Sequence, residues 1–417
     1  MPSRLDLLRD RASERQDLCR LVRMTIVDRL DLPVDAGWIT DDQPLVRRGL
    51  ELDGVDRLEV AFGLEALFGV RIDPGELGSF ASAARLAERI AAGRPAAGPG
   101  CRVTGSCDPG YAALRTGAAR LPAEGGVVAV RGEAALAFAQ RVLARDLGDL
   151  APGRCAPSLV LDDDARLVAT VIVYHRGDHL WLEARAPDAL VRHLDALAPA
   201  GVAVACADGR VVAVEGPRAR DAVRHVLGRD AVGIPAGAVV ETAWRDEPVV
   251  VARTGWSGED AYRLVSPGPD VAEALAEWAV PAGPRVLATA ARELGPAGEG
   301  PVDAGWGWLV DPAKPAFVGR EALVRGLAAG PGLRPLALAS ATAPTGAAAG
   351  QAAVRAGGVA VGEVVSSGYS PGLGAHLSVA RVEPALAAAG LDLELSGSVA
   401  ARSLAAPYVV PESWRRA

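Results

Sequence analysis

Residues 251–264 read VARTGWSGEDAYRL, a stretch with a distinctive pattern. An apolar β-rich run at residues 248–253 leads into a glycine-rich turn. The turn carries the adjacent carboxylates Glu259 and Asp260, and Trp256 precedes them. A carboxylate in such a turn either caps the element that follows or binds a ligand, and the stretch alone leaves both open.

Three other stretches are equally distinctive. Residues 127–146 read VVAVRGEAALAFAQRVLARD, residues 305–323 read GWGWLVDPAKPAFVGREAL, and residues 354–373 read VRAGGVAVGEVVSSGYSPGL. Trp306 and Trp308 alternate with a period of two, which predicts that both lie on one face of a strand.

Taken in their order along the chain, the four stretches resemble the T-protein of the glycine cleavage system, a family of folate-dependent aminomethyltransferases. The family shows RTGYTGEDG where this chain has RTGWSGEDA. The resemblance covers residues 111–412 and implies three subdomains around a central folate pocket. It therefore also implies a tetrahydrofolate derivative as cofactor.

The resemblance implies which residues face that cofactor. Glu259 corresponds to the glutamate that hydrogen-bonds the pterin, and a carboxylate suits this task because it accepts two parallel donors. Val173, Tyr174 and Trp256 correspond to the walls of the pocket. Arg292, in the segment AARELGP, corresponds to an arginine near the folate. The plainer alternatives are strand core for Tyr174 and a surface ion pair for Arg292.

The chain departs from the family where the reaction needs a carboxylate. The family shows LNxxGGxxDDLIVY, and its two aspartates fall on Ala169 and Thr170 here. Transfer of a one-carbon unit needs a group that moves a proton or stabilises iminium charge. Asp260 is the candidate catalytic residue, and the alternatives are that a substrate amine takes this role or that no group does. Residues 121–126 and 292–301 also depart from the family pattern. The sequence therefore argues against glycine-cleavage activity.

Two clusters that could suggest a metal have simpler interpretations. His175 and His179 flank Arg-Gly-Asp, which predicts a hairpin turn between two strands. Asp162, Asp163 and Asp164 lack the spaced oxygen ligands of a calcium loop and predict a turn. No metal is therefore expected.

The N-terminal region has a different pattern. Apolar residues recur with helical spacing at residues 16–32, 57–68 and 80–91. Residues 41–69 read DDQPLVRRGLELDGVDRLEVAFGLEALFG, and with the first helix they resemble an acyl carrier protein over residues 16–93. This resemblance implies a four-helix-type bundle of the kind that polyketide and fatty-acid synthases use.

The serine that would carry phosphopantetheine in that family falls on Gly54. Attachment needs a hydroxyl nucleophile, and no serine or threonine occurs between Asp41 and Gly78. We therefore expect no phosphopantetheine on Gly54. The region is then either a docking module, with an acidic surface that includes Asp53 and Asp56, or a structural relic.

Composition narrows the class of protein. The chain has 417 residues and a formal net charge of −7, which argues against a nucleic-acid partner. No apolar run is long enough for a membrane span, and the first twenty residues lack the apolar segment of a secretory signal. Five scattered cysteines without a CxxC pair fit a reduced, cytoplasmic protein.

We expect a multidomain chain: a small all-α carrier-like bundle followed by an α+β body. The predicted parts are residues 1–95 for the bundle, 96–110 for a linker rich in glycine and proline, 111–330 for a folate-binding region, and 331–417 for a β-rich subdomain.

The leading hypothesis is an atypical folate-dependent one-carbon transferase of a biosynthetic pathway. It would work on a small-molecule substrate with a synthase or carrier-protein partner. One alternative is a non-catalytic scaffold that docks partners through residues 16–93. Another is a T-protein-like fold reused for folate-independent chemistry on a tethered intermediate.

Overall fold

The computed structural model describes residues 2–93, 107–122, 125–295, 306–311, 313–329, 332–346 and 352–414. Most of the predicted linker, residues 96–110, therefore lies outside the described residues. The α-helices are α1 (Arg4–Leu30), α2 (Gly54–Phe68), α3 (Ala83–Ala92), α4 (Pro109–Thr116), α5 (Ala135–Val142), α6 (Pro187–Asp195), α7 (Ala219–Leu227), α8 (Asp270–Ala274), α9 (Pro284–Leu294) and α10 (Arg320–Ala329).

The strands are β1 (Ala119–Pro122), β2 (Gly126–Arg131), β3 (Arg154–Leu161), β4 (Leu167–His175), β5 (Leu180–Ala184), β6 (Ala203–Ala207), β7 (Arg210–Glu215), β8 (Val239–Trp244), β9 (Glu247–Ala252), β10 (Ala261–Ser266), β11 (Val280–Pro281), β12 (Arg334–Ser340), β13 (Ala353–Ala356), β14 (Val359–Ser370), β15 (Ala375–Val382), β16 (Asp392–Leu395) and β17 (Val399–Leu404). A helical N-terminal region thus precedes an α+β body, which confirms that part of the prediction.

The chain forms two compact units. The first comprises residues 1–105, 292–308 and 326–410, and the second comprises residues 106–291, 309–325 and 411–417. The domain boundaries drawn from the sequence stay predictions.

The second unit is built on two sheets. One has the strand order β11-β1-β7-β10-β9-β8, and the other has the order β3-β4-β5-β2-β6. Successive residues of a strand point to opposite faces of its sheet, and apolar residues lie on both faces where both are covered. In β4, Val173 packs into the core formed with α5 and α6, whereas Tyr174 points the opposite way, into a core shared with Val211 and Val265 of the first sheet.

Lys314, the only lysine in the sequence, joins the loop before α10 to the segment after α5 within the second unit. Its Nζ atom donates hydrogen bonds of 2.8 Å to the carbonyl oxygens of Leu143 and Arg145. Burial lowers the pKa of Lys314 to about 8. The lysine therefore satisfies two carbonyl groups, which would be costly to bury alone.

In the first unit, six strands close into a barrel with the order β12-β15-β14-β13-β16-β17. Helix α1 packs on this barrel: Leu8 and Ala12 belong to the same buried core as Leu338 and Val382. Outside this core, Arg9 forms a 2.9 Å ion pair with Glu383.

A second contact joins the N-terminal helices to the segment after β17. Ser82 and Arg85 donate hydrogen bonds to the carbonyl oxygens of Ala406 and Pro407. The backbone N–H of Ala406 in turn donates to Asp42 at 3.0 Å. The helices and the barrel thus share one compact unit.

Helix α2 begins at a capping box. The carboxylate of Asp53 accepts the backbone N–H of Val55 and Asp56, and Asp56 accepts the backbone N–H of Asp53. The helix ends at Phe68 and is capped by Gly69, whose φ of 66° favours glycine. Asp53 and Asp56, which the sequence assigned to a docking surface, therefore stabilise the start of the helix.

Three local predictions have clear outcomes. The turns at Asp162–Asp164 and between His175 and His179 are confirmed, since antiparallel strands flank both. The prediction that Trp306 and Trp308 lie on a strand is wrong. Residues Gly307–Leu309 form a 3₁₀ turn, and a period of two over three residues is too short to distinguish the two.

Among the described helices, none combines the length and the apolar character that crossing a membrane requires.

Candidate functional site

The loop between β9 and β10 is held by a buried acid. Glu215, the last residue of β7, accepts the backbone N–H of Ser257 at 2.9 Å and that of Trp256 at 3.4 Å. Gly255 allows this approach, because a Cβ there would lie 3.0 Å from the Glu215 carboxylate. The carboxylate of Glu215 therefore holds the backbone of this loop in position.

Glu259, in the same loop, is wholly enclosed. Its side chain has no exposed area, and its Oε1 atom accepts a hydrogen bond of 3.1 Å from Arg115, which is itself fully buried. Oε1 also accepts the backbone N–H of Glu412 at 3.1 Å, and Oε2 accepts that of Ser413 at 3.0 Å. The indole of Trp414 donates to the Gly258 carbonyl at 2.8 Å.

Asp260, the predicted catalytic residue, points elsewhere. Its carboxylate lies 3.5 Å from the guanidinium of Arg253, and the side chain is 30% exposed. A ligand in solvent can therefore reach this side chain.

A second buried network joins the two sheets of this unit. Arg263 of β10 lies 3.0 Å from Glu215 and 3.2 Å from Glu183 of β5. The hydroxyl of Tyr174 donates to Glu183. Burial, and then the charge of Glu183, raise the pKa of Tyr174 well above its ordinary value, so this side chain stays a neutral donor.

The positions where the family has two aspartates lie on β4. Ala169 packs with Val173 against the core that contains α5, and by alternation Thr170 shares the face of Tyr174. Neither carries a carboxylate. Because Val173 and Tyr174 face opposite cores, the structure does not bring these two predicted wall residues together.

Arg292, the remaining predicted site residue, belongs to the first unit. Its guanidinium lies on Gly368 of β14, where a Cβ would come within 2.9 Å of both terminal nitrogens. Its Nε atom is buried without a hydrogen-bond partner among the described residues. The adjacent Glu293 accepts a hydrogen bond from Ser370, so the motifs at residues 292–295 and 366–371 meet in this unit.

Arg115, Glu183, Glu215 and Arg263 were not predicted from the sequence. The last three were detectable, because each is a charged residue inside an apolar strand: LWLEA, RVVAVE and AYRLVS. No sequence pattern predicted the hydrogen bonds that Glu259 accepts from Glu412 and Ser413.

The described residues contain no group of three or more His, Cys, Asp or Glu side chains placed to hold a metal ion.

Comparison with known proteins adds family relationships. Residues 123–294 match the model of the GCVT N-terminal domain. An aminomethyltransferase from Frankia alni is 32% identical over 326 residues, which are 70% of this chain and 85% of that protein. An aminomethyltransferase from Mycobacterium leprae is 32% identical over 283 residues, covering 62% of this chain and 75% of that protein.

Among solved structures, the glycine cleavage system aminomethyltransferase T from Bartonella henselae is similar with a TM-score of 0.60. The identity is 22%, and the match covers 72% of this chain and 89% of that one. At this identity the likeness concerns the fold alone.

Proposed function

We propose, since this chain belongs to the aminomethyltransferase family, that it binds a reduced folate and acts as an atypical one-carbon transferase in a biosynthetic pathway. What supports folate binding in the chain itself is Arg292. The buried Nε atom of this residue lacks a partner among the described residues, and burying such a donor is costly unless a ligand pairs with it.

The guanidinium of Arg292 is also suited to bind the carboxylates of a folate. A guanidinium pairs with a carboxylate through two parallel hydrogen bonds, and the tail of a folate ends in carboxylates. Gly368 leaves the terminal nitrogens uncovered by a Cβ. We assign Arg292 to the anionic part of the ligand.

The other predicted cofactor residues fit less well. Glu259 and the hydroxyl of Tyr174 already have protein partners, and Ala169 and Thr170 offer no carboxylate. A bound reduced folate would supply a one-carbon unit carried on its nitrogens. Asp260, which belongs to the second unit, stays a prediction as the group that accepts or donates a proton; its carboxylate is partly exposed.

Calorimetric titration with tetrahydrofolate and its 5,10-methylene form tests the proposal. We expect the wild type to bind and Arg292→Ala to lose about tenfold or more in affinity, as for the loss of a charge-assisted hydrogen bond. Arg292→Lys keeps the charge but not the paired donors, and should fall between the two. No binding by the wild type would refute the proposal.

A second candidate function is docking of a biosynthetic partner through α2. Val55, Leu58 and Phe62 are exposed and share one face of this helix, with exposed fractions between 39% and 66%. The exposed Glu59 lies next to this apolar face. Apolar side chains beside a carboxylate suit a partner whose apolar surface is bordered by arginine or lysine.

Copurification from cells that express the pathway tests docking. Phe62→Ser and Glu59→Lys should each reduce recovery of the same partner. Glu133→Lys is the matched control, since it reverses an exposed acid elsewhere on the chain. Asp53 and Asp56 are unsuitable for this test because they cap the helix. Equal recovery from all variants would exclude the α2 face.

A further inference from the structure

We infer that Glu259 fastens the C-terminal segment, residues 411–414, and is not the residue that holds a pterin. The second half of this inference rests on the proposed function, whereas the first half stands on the geometry alone.

The carboxylate of Glu259 already accepts three hydrogen bonds from the protein. A carboxylate oxygen has two lone pairs, and Oε1 already accepts from Arg115 and from the backbone of Glu412. An aminopyrimidine edge presents two parallel donors, one for each oxygen. Binding it would therefore displace a donor from Oε1, and the side chain has no exposed area through which a ligand could approach.

Residues 412–414 donate hydrogen bonds to Glu259 and to the residue before it. Glu412, Ser413 and Trp414 form a 3₁₀ turn. The first two residues direct their N–H groups at the two oxygens of one carboxylate. Trp414 is 4% exposed and donates to the carbonyl of Gly258, the residue before Glu259.

Arg115 makes the arrangement self-contained. Its guanidinium neutralises Glu259 and also donates to the carbonyl oxygen of Ser257 at 3.3 Å. The buried carboxylate thus has a counter-ion and backbone donors within one compact unit, which is what burial of a charge requires.

A matched pair of variants tests the fastening without touching Glu259. Ser413→Pro removes the N–H group that donates to Oε2. Ser413→Ala keeps this N–H group. It also breaks no side-chain hydrogen bond, because the Ser413 hydroxyl has no hydrogen-bond partner among the described residues. We expect amide exchange at residues 256–260 to be about tenfold faster in Ser413→Pro, as for one lost hydrogen bond to a charged group, and unchanged in Ser413→Ala. Equal exchange in the two variants would overturn the fastening.

Amide exchange of the wild type with and without saturating tetrahydrofolate tests the second half. If the folate binds and exchange at residues 412–414 does not accelerate, Glu259 retains its hydrogen bonds to residues 412 and 413, and the inference holds. If the folate binds and exchange there accelerates, the pterin has displaced the segment and the inference is wrong. If the folate does not bind, the proposed function fails, and the two Ser413 variants still decide the fastening.

Discussion

The guanidinium of Arg263 lies 3.0 Å from the carboxylate of Glu215, and the two side chains are 5% and 0% exposed. Glu183 lies on the other side of the guanidinium at 3.2 Å, so one positive charge faces two negative charges inside the second unit. A buried ion pair adds little net stability by itself, but removal of one partner leaves a charge without compensation.

We therefore expect Arg263→Met to lower the free energy of unfolding by about 3–5 kcal/mol. The cost arises because Glu215 and Glu183 lose their shared counter-ion, and urea unfolding followed by far-UV circular dichroism measures it. Arg166→Met is the control: Arg166 is 76% exposed and pairs with Asp164. This surface pair should contribute less than about 1 kcal/mol, and equal losses in both variants would refute the argument.

The sequence was sufficient where structure is local. Helical spacing predicted α2 at residues 57–68, and the capping box at Asp53 and Asp56 extends its start to Gly54. The hairpin between β4 and β5 follows from Arg-Gly-Asp at residues 176–178. In both cases the decisive hydrogen bonds connect neighbours in the chain. The α+β class followed because strand and helix periods differ clearly over several turns.

The candidate site required contacts that no local pattern contains. Arg263 meets Glu183 across 80 residues of sequence, and Ser413 meets Glu259 across 154. A charged residue inside an apolar strand is a signal for a buried partner, but only the packing of the two sheets decides which residues pair. Family resemblance pointed to Glu259, yet it could not show that the chain's own backbone occupies its oxygens.

Gly54 gives a direct test of the resemblance to carrier proteins. Wild-type protein incubated with a phosphopantetheinyl transferase and coenzyme A should gain no mass, because Gly54 has no nucleophile. Gly54→Ser has space for the hydroxyl, since a Cβ there would lie 4.0 Å from its nearest neighbour, an Arg57 nitrogen.

If α2 presents a carrier-like surface, Gly54→Ser should gain about 340 Da, as expected for attachment at a serine hydroxyl. Intact-protein mass spectrometry measures both proteins. A gain by the wild type would contradict the first expectation. A variant that is folded but never modified would count against the carrier-like surface.

The attachment of α1 to the barrel can be tested with two adjacent leucines. Leu8 is 6% exposed and lies in the barrel core, whereas Leu7 is 50% exposed. Leu8→Ala should cost about 2 kcal/mol or more, because it leaves a cavity. Leu7→Ala should change stability by less than about 0.5 kcal/mol. Thermal unfolding compares them, and similar melting temperatures would show that the helix does not contribute to the barrel core.

Asp42 makes the stability of the first unit depend on pH. Burial raises the pKa of Asp42 to about 6 from an ordinary value of 3.8, although the hydrogen bond from the Ala406 N–H acts in the opposite direction and lowers it. The residue as a whole is partly exposed, but its carboxylate lies among protein atoms that include the charged side chains of Asp41, Arg85 and Glu88. Since the folded state holds the proton more tightly, its stability falls as pH rises from about 4 to 6, by at most about 3 kcal/mol.

Asp42→Asn should remove this pH dependence. The amide oxygen can still accept the Ala406 N–H, which lies 3.0 Å away in the wild type, and the amide carries no charge to bury. We expect Asp42→Asn to unfold at a higher urea concentration than the wild type at pH 7.5 and at a similar one at pH 4. Asp42→Ala removes the acceptor as well and should be less stable than Asp42→Asn at pH 7.5, by about 1 kcal/mol. Parallel pH profiles for the wild type and Asp42→Asn would mean that Asp42 is ionised in the folded protein without penalty.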